Sequence, residues 1–313
     1  MATILVTHGI PEKGFAALEG HKIIIPQPLA AYTMEELKSL IPQADAVVAG
    51  GKLPGDVIRL GGRLKIIANY GAGYDGVDVS SAAECGVPVT NIPDTVTHDT
   101  AELAIGLMLA VSRRIGEMNL RLRSEVSQSL FGMGRYMGAS LRGQTLGVVG
   151  CGRIGSCTAK MAAALGMRVL GYSRRGADPA VCQPVDLDTL LAEADVVSLH
   201  CPLTEDTRGL MNREAFAKMK HGAILVNTAR GAVVDTDALL EALDNGRLRG
   251  AGIDVYPNEP SIPEALLTRN NVVCTPHIGT NTVQTRDEMA AACSQQILDA
   301  LAGRRPVNIV NGL

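Results

Sequence analysis

Residues 146–166 read LGVVGCGRIGSCTAKMAAALG and place Gly150, Gly152 and Gly155 in G-x-G-x-x-G spacing. An apolar, strand-like run precedes the glycines and an alanine-rich helical run follows them, which is the context that this motif requires. The first glycine permits a tight turn, the second admits a pyrophosphate, and the third lets helix and strand pack closely. The free N–H groups at the start of the helix favour bound phosphate. The stretch predicts a dinucleotide-binding unit, with a purely structural glycine turn as the alternative.

Short apolar runs alternate with helical patterns on both sides of this stretch. Before it we expect strands in TILVTH, KIIIP, DAVVAG, KIIANYG and PVTN. From residue 141 onward we expect strands in TLGVVG, RVLGYS, DVVSLH, AILVNTA, GAGIDVY and NVVCTPH. Strands that alternate with helices indicate βαβ units and parallel sheets. The sequence therefore predicts an α/β fold with two similar, Rossmann-like domains.

Two longer helical patterns flank the second set of strands. Residues 99–126 predict one helix with no break before Ser127, long enough to connect two domains and to pack against a second subunit. Residues 282–303 predict another long helix after the last strand, free to return to the first domain. The boundary between the domains is therefore expected at these two helices.

Composition limits the classes of partner. The chain of 313 residues is 46% hydrophobic and 19% charged, which is typical of a folded protein that is not disordered. A formal net charge of −3 gives no field that would recruit nucleic acid or an anionic membrane. The seven cysteines are scattered without a C-x-x-C pair, which predicts reduced thiols, no metal site and a cytoplasmic location. The N-terminal residues lack the pattern of a signal peptide.

The strand after the glycine turn ends in VLGYSRRG, residues 169–176. A dinucleotide-binding fold often has an acidic residue here, which accepts hydrogen bonds from the adenosine ribose and repels a 2′-phosphate. This chain has Ser173, Arg174 and Arg175 instead. A serine removes that repulsion, and arginines form strong charge-assisted hydrogen bonds with phosphate. We predict a preference for NADP(H), with NAD(H) as the alternative.

Polar residues follow three later strands, in ILVNTARGAVVD, GAGIDVYPNEP and NVVCTPHIGT. Because ligands bind at the carboxyl ends of strands in open α/β sheets, we expect Arg230, Asp254, Glu259 and His277 to lie in one crevice. Each has an ordinary structural alternative, such as a helix cap for Arg230 or a surface charge for Glu259. Four such residues at strand ends favour a catalytic site.

The chain resembles the D-isomer-specific 2-hydroxyacid dehydrogenases over nearly its whole length. The segments that carry the resemblance occur in the family's order: NYGAGYDGVDV, VPVTNIPDTVTHDTAELAIGLMLA, GVVGCGRIG, LHCPLTEDT, LVNTARGAVVD, GIDVYPNEP and TPHIG. The resemblance implies a nucleotide-binding Rossmann domain over residues 98–281, inserted into a flavodoxin-like substrate domain made of residues 1–97 and 282–313. It also implies hinges near Thr97 and Thr282, and a homodimer formed through the long helix that begins near Thr100.

The resemblance implies roles for individual residues. His277 is expected to protonate the carbonyl oxygen of a 2-oxo acid, Glu259 to orient its ring, and Arg230 to polarise the carbonyl and bind the carboxylate. Histidine suits this role because its pKa lies near neutrality. The substrate-binding residues implied are Lys52, Ala72, Gly73, Arg230 and His277. The cofactor-binding residues implied are Thr100, Gly150, Gly152, Arg153, Ile154, Gly155, Ser173, Arg174, Arg175, Cys201, Pro202, Thr207, Thr228, Ala229, Arg230, Asp254, His277 and Gly279.

The segment NIPDTVTHDTAELAIGLMLA looks most like the glyoxylate/hydroxypyruvate reductase branch, which commonly prefers NADPH. That branch often has a tryptophan before the first strand of its nucleotide domain, whereas this chain has SLFGMGRYMGASLRG there. We expect Phe131, Met133, Tyr136 and Met137 to line the mouth of the substrate site instead, which leaves the preferred 2-oxo acid open. The alternatives are an NAD-linked dehydrogenase acting on D-lactate or 3-phosphoglycerate, and a dinucleotide-sensing interaction protein.

Overall fold

A computed structural model describes residues 1–125 and 130–313, which contain strands β1–β12 and helices α1–α11. The strands are Thr3–Val6, Lys22–Ile24, Ala46–Ala49, Ile66–Asn69, Val89–Thr90, Thr145–Val149, Arg168–Tyr172, Gln183–Pro184, Val196–Leu199, Ala223–Asn227, Leu248–Ile253 and Val272–Cys274. The helices are Met34–Leu40, Gly55–Ile58, Val79–Glu84, Thr97–Ser112, Ile115–Ser124, Arg153–Ala164, Leu187–Glu193, Arg213–Lys218, Thr236–Asp244, Glu264–Leu267 and Val283–Leu301.

The chain folds into two compact units. The first contains Met1–Val96 and Thr280–Leu313, and the second contains Thr97–Gly279. The functions that the sequence analysis assigns to the corresponding stretches, substrate binding and nucleotide binding, stay predictions. In the described part of the chain, no helix has both the length and the apolar character needed to cross a membrane.

The first unit is built on a five-stranded parallel sheet in the order β2-β1-β3-β4-β5. This is the strand order of flavodoxin-like folds. Alternate residues of β3 enter different cores: Ala46 and Val48 pack on one face of the sheet, and Val47 and Ala49 on the other. Helix α11 covers the first of these faces through Met289, Ala290, Cys293 and Ile297.

The second unit contains a seven-stranded parallel sheet in the order β12-β11-β10-β9-β6-β7-β8. Counted within the unit the order is 7-6-5-4-1-2-3, so it contains the Rossmann order with one added strand. Both faces are buried, as β10 shows: Ile224 and Val226 pack on one face and Leu225 on the other. The predicted fold class, two α/β domains with parallel sheets, is confirmed.

The sequence prediction of one helix over residues 99–126 is wrong. Helix α4 ends at Ser112, and α5 begins at Ile115 after Arg114, whose φ of 56° is left-handed. The amide of Ala139 donates to the Ser112 carbonyl at 2.9 Å and so caps the end of α4. Buried Glu117 accepts hydrogen bonds from Arg114 and Arg121 at the start of α5. The expected end at Ser127 lies outside the described residues.

Candidate active site

The glycine-rich turn joins β6 to α6, and neighbouring backbone atoms pack tightly against Gly150 and Gly155. Gly150 has a φ of 99°, and a Cβ added there would lie 2.5 Å from the Cys201 amide nitrogen. A Cβ on Gly155 would lie 2.0 Å from the Gly150 carbonyl oxygen, so both contacts require glycine. Gly152 is the N-cap of α6 and supplies no side-chain cap. The N-terminal turn of α6, which contains Arg153 and Ile154, lies at a helix end of the kind that suits a phosphate.

The loop after β7 carries the residues expected to choose between the two dinucleotides. Arg174 and Arg175 are exposed and Ser173 is partly buried. Arg174 forms an ion pair with Asp206, which follows β9 in the LHCPLTEDT segment. A phosphate bound by Arg174 would compete with the carboxylate of Asp206, a residue that the sequence analysis did not single out.

The loop after β9 holds Cys201, Pro202 and Thr207 in a compact turn. The backbone of Cys201 packs against Gly150, as the close approach above requires. The Thr207 hydroxyl donates to the Pro202 carbonyl at 2.6 Å and accepts from the Thr204 amide at 2.8 Å. These bonds fix the loop beside the glycine-rich turn.

The loop after β10 presents Arg230. Asn227 holds the loop from both sides, because its side chain donates to the Arg230 carbonyl and accepts from the Ala229 amide, both at 3.0 Å. The Arg230 guanidinium donates to the Ala229 carbonyl at 2.7 Å. The buried Thr228 hydroxyl has no hydrogen-bond partner within residues 1–125 and 130–313. An unsatisfied polar atom beside a glycine-rich phosphate cradle fits a bound dinucleotide.

Asp254 at the end of β11 organises the loop that carries His277. Its carboxylate accepts hydrogen bonds from the Thr275 hydroxyl at 2.7 Å and from the amides of Ile278 and Gly279 at 2.8 and 3.0 Å. Burial raises the pKa of Asp254, and these three bonds oppose the rise. A Cβ on Gly279 would lie 3.4 Å from both Asp254 and Thr100. The structure thus brings these three predicted cofactor residues together.

His277 and Glu259 form a hydrogen-bonded pair. The His277 Nδ1 lies 2.8 Å from a Glu259 carboxylate oxygen, and the second oxygen accepts from the Tyr256 amide at 2.9 Å. The His277 backbone has a φ of 53° and its amide donates to the Asp254 carbonyl at 2.8 Å. Half of the imidazole side chain is exposed. Glu259 therefore fixes one ring nitrogen and leaves the other for a ligand.

The charge of Arg230 acts on the same pair. Burial alone would raise the pKa of Glu259, but hydrogen bonds from His277 and Tyr256 and the charges of His277 and Arg230 lower it below its usual range. Gly231 permits this proximity, since a Cβ there would lie 2.0 Å from the Tyr256 carbonyl carbon. Arg230, Glu259 and His277 lie together at the carboxyl ends of β10–β12, as expected, and their roles stay predictions.

The predicted carboxylate-binding loop lies in the first unit, after β4. The Asn69 side chain donates to the carbonyls of Gly71 and Gly73 at 2.9 and 3.0 Å, and the Asn91 side chain donates to that of Ala72 at 2.8 Å. With these carbonyls bound, the loop is held in a single arrangement. Lys52, in another loop of this unit, is exposed.

Three supporting residues besides Asp206 were missed by the sequence analysis: Asn69, Asn91 and Tyr256. Each acts through hydrogen bonds to a loop that carries a predicted site residue. The two asparagines lie within motifs that the analysis quoted, NYGAGYDGVDV and VPVTNIPDTVTHDTAELAIGLMLA. An amide that follows a buried strand was the available signal for them.

A dinucleotide cradle beside a histidine, a carboxylate and an arginine defines a nicotinamide-dependent oxidoreductase. Residues 105–279 match the family model described as D-isomer specific 2-hydroxyacid dehydrogenase, NAD binding domain. The chain belongs to the D-isomer specific 2-hydroxyacid dehydrogenase family. It is an NAD(P)-dependent 2-oxo acid reductase, and the resemblance given by the sequence motifs is confirmed.

Three relatives show where the chain lies within the family. It is 40% identical to the glyoxylate reductase of Thermococcus litoralis over 98% of this chain and 96% of that protein. It is 42% identical to the hydroxypyruvate reductase of Thermotoga maritima over 85% and 88% of the two chains. A crystal structure of the NADPH-dependent glyoxylate/hydroxypyruvate reductase of Sinorhizobium meliloti, with NADP and malonate, has a TM-score of 0.87 at 31% identity, covering 99% of this chain and 96% of the other. These similarities support the glyoxylate/hydroxypyruvate reductase branch.

Proposed function

We propose that the protein reduces glyoxylate, hydroxypyruvate or a related small 2-oxo acid to the D-2-hydroxy acid, with NADPH as the preferred reductant. The observation that carries this proposal is the 2.8 Å bond between His277 and Glu259, beside Arg230, at the carboxyl ends of a Rossmann-type sheet. A 2-oxo acid requires a proton at its carbonyl oxygen and a cation at its carboxylate. The three side chains supply both.

A dinucleotide held by the turn over Gly150–Gly155 would supply a hydride for the carbonyl carbon. His277, with its ring held by Glu259, donates a proton to the carbonyl oxygen. A carboxylate beside the imidazole favours the charged ring, and its own low pKa keeps it ionised near neutrality. Arg230 stabilises the negative charge that develops on the oxygen and binds the substrate carboxylate.

The substrate carboxylate also needs hydrogen-bond donors. We propose the N–H groups of Ala72 and Gly73, since side-chain amides of Asn69 and Asn91 occupy the loop's carbonyls and leave its amides as the ligand-facing groups. Lys52 adds positive charge for the same anion. Met133 and Phe131, both highly exposed, are proposed to widen the mouth of the site and the range of accepted 2-oxo acids.

The residues proposed to hold the dinucleotide lie at the carboxyl ends of the second sheet. The turn over Gly150–Gly155 binds the pyrophosphate, while Asp254 fixes the loop of His277 and Gly279 beside the nicotinamide position. Ser173, Arg174 and Arg175 bind the 2′-phosphate that distinguishes NADPH from NADH. The NADPH-dependent relative from S. meliloti supports this choice. The absence of an acidic residue after β7 disfavours an NAD-linked D-lactate or 3-phosphoglycerate dehydrogenase.

The experiment compares NADPH and NADH oxidation with glyoxylate and hydroxypyruvate in the parent and in H277A. We expect the parent to turn over both acids, with NADPH giving the higher kcat/KM, and H277A to lose at least about a hundredfold in kcat. His221 is exposed at the opposite end of the same sheet, before β10, so H221A is the matched control. Bound NADPH without turnover in either protein would favour a dinucleotide sensor over a reductase.

We also propose a homodimer. Among residues 115–125 and 130–137, six large apolar side chains are exposed: Ile115, Leu120, Leu122, Phe131, Met133 and Met137. Such a concentration of exposed apolar side chains is typical of an interface. Sedimentation equilibrium should give twice the mass of the chain, and L120E/L122E should shift it toward the monomer; a monomeric parent would contradict the proposal.

A further inference from the structure

Two cysteine thiols lie close to the same residue of β7, next to the glycine-rich turn. Cys151 is the residue between Gly150 and Gly152, and Cys182 immediately precedes β8. A Cβ placed on Gly171 of β7 would lie 2.3 Å from the Cys182 sulfur and 2.8 Å from the Cys151 sulfur. Both sulfurs therefore lie next to Gly171, on the side where any other residue would have its Cβ, and are neighbours.

Their other contacts are weak. The Cys151 thiol donates to the carbonyls of Tyr172 and Val148 at 3.7 and 3.8 Å, and the Cys182 thiol to that of Asp178 at 3.9 Å. Neither thiol has a role in the proposed reduction. A pair of buried cysteines also serves as small apolar packing. The direct approach of two sulfurs beside a ligand-binding turn indicates more than packing.

We propose that Cys151 and Cys182 are a redox modification site, and that their oxidation to a disulfide by a peroxide weakens dinucleotide binding. Cys151 is partly exposed whereas Cys182 is 6% exposed, so Cys151 reacts first. Its sulfur attacks a peroxide oxygen, the O–O bond breaks, and a sulfenic acid and one water form. The Cys182 sulfur then displaces the sulfenic oxygen, which leaves as a second water. Two thiol protons and two electrons pass to hydrogen peroxide.

The position of the bond explains its effect, which rests on the proposed function of the turn. A disulfide brings its two sulfurs to about 2.05 Å, closer than the van der Waals contact of two thiols. It would draw Cys151, and with it Gly150 and Gly152, toward the segment before β8. The closed loop would contain β7 and all three residues proposed to bind the 2′-phosphate. The glycine-rich turn, proposed to bind the pyrophosphate, and the loop after β7, proposed to bind the 2′-phosphate, would both shift.

Burial sets the rate of this reaction. Burial, together with the neighbouring Cys182, raises the pKa of the Cys151 thiol to about 12. Burial also raises the pKa of Cys182. Since the thiolate is the reactive form, a brief exposure to peroxide leaves the pair reduced. Sustained exposure closes the bond, and a small-molecule dithiol reopens it.

The test uses the full-length protein treated with hydrogen peroxide and then digested under non-reducing conditions. We expect a linked peptide pair containing Cys151 and Cys182, at least a tenfold rise in the Kd of NADPH measured by fluorescence, and recovery after dithiothreitol. C182A should bind NADPH normally before treatment and keep that affinity after it. Cys85 is exposed, so C85A is the matched control and should respond as the parent does.

Three outcomes would overturn the proposal: no linked peptide after prolonged treatment, a linked peptide with unchanged NADPH affinity, or equal losses in C182A and the parent. A melting curve of C182A shows whether it has folded, and C182S provides a second variant if it has not. If reduced protein failed to bind NADPH, the proposed function would be wrong, whereas the linked peptide would still report on the thiol pair.

Discussion

At the scale of single residues, the candidate site depends on how His277 is held. Its left-handed backbone, the bond from its amide to the Asp254 carbonyl and the bond from its ring to Glu259 fix three points of one residue. The ring has no freedom to choose another tautomer while Glu259 is ionised, because the carboxylate accepts the Nδ1 proton. The proton available for a substrate is therefore on the other nitrogen.

E259Q should lower the pH at which 2-oxo acid reduction fails. Glutamine keeps the size of the side chain but removes the negative charge next to the ring, so the reaction should lose its proton donor at a lower pH. The measurement is kcat/KM against pH between about 5 and 10.

The control is E264Q, which removes an exposed carboxylate from the first turn of α10, on the same stretch of chain. It should leave the profile in place. An alkaline limb that does not move in E259Q would show that Glu259 does not support the charged ring.

The identities of the three central side chains could be predicted from the sequence, because each follows an apolar run and strand ends converge in a parallel sheet. The residues that hold these side chains and the neighbouring loops in place were not predicted. Asn69 and Asn91 act through side-chain amides on carbonyls of a loop, and Tyr256 acts through its backbone amide. The type of a side chain does not show whether the backbone amide of that residue will hold a neighbouring group, so the role of Tyr256 could not be predicted from its identity.

At the scale of elements, the loop after β7 and the glycine turn before α6 form the proposed dinucleotide site. Only glycine fits at Gly150 and Gly155, because a Cβ at either position would collide with backbone atoms. The glycines of the motif therefore predicted this turn directly. The loop is different, because the pairing of Arg174 with Asp206 joins segments 32 residues apart. The order of residues along the chain does not show that Arg174 already has an ion-pair partner.

R174A/R175A should raise the KM for NADPH by about tenfold to a hundredfold, since each charge-assisted bond contributes roughly 1.5–3 kcal/mol. The KM for NADH should change little, because NADH lacks the 2′-phosphate. Competition from Asp206 places the expected effect toward the lower value. Steady-state kinetics with both cofactors, at one fixed 2-oxo acid concentration, measure it.

R142A/R168A is the matched control, since it removes two charges at the amino ends of β6 and β7, away from the site. It should change neither KM. Equal losses for NADPH and NADH in R174A/R175A would mean that the arginines do not select the cofactor.

Helix α4 and helix α5 show where pattern reading failed. Helical periodicity runs through residues 99–126, which contain no proline, and the two glycines, Gly106 and Gly116, lie inside α4 and α5 rather than at the break. The break depends on tertiary contacts instead: Ala139 caps α4, and the Tyr136 ring lies 5.4 and 5.3 Å from the guanidinium carbons of Arg114 and Arg121. Tyr136, expected to line the substrate site, thus stacks against α5.

At the scale of the whole molecule, each unit has cores of its own. The two large clusters of the second unit contain only residues between Leu103 and Cys274, and those of the first contain only residues from Ile4 to Val96 and from Met289 to Val310. Along each parallel strand, successive side chains point to opposite faces of the sheet. Apolar cores therefore cover both faces of each sheet. The sequence predicted this arrangement because continuous apolar strands that alternate with helices pack in few ways other than as a parallel sheet covered by helices on both faces.

A fragment of residues 97–279 should fold alone and bind NADPH. Its cores are complete without the rest of the chain, and every residue proposed to hold the dinucleotide lies within it. We expect one cooperative melting transition and a Kd for NADPH within about tenfold of the full-length value, with no 2-oxo acid reduction. Circular dichroism and fluorescence titration measure these properties.

The reciprocal fragment, residues 1–96 alone, should be unfolded, because it lacks the helix that covers one face of its sheet. If the 97–279 fragment melted without cooperativity, the two units would depend on each other for stability.

The contact of α11 with the first sheet has a consequence for synthesis on the ribosome. Strands β1, β3 and β4 emerge early, yet the face formed by Ile4, Val6 and Ile66 stays uncovered until Met289 and Ile297 leave the exit tunnel. The apolar segments that form this face therefore stay exposed through the translation of about 200 codons, while the inserted unit matures. We expect a chaperone to bind these unfolded apolar segments during that interval.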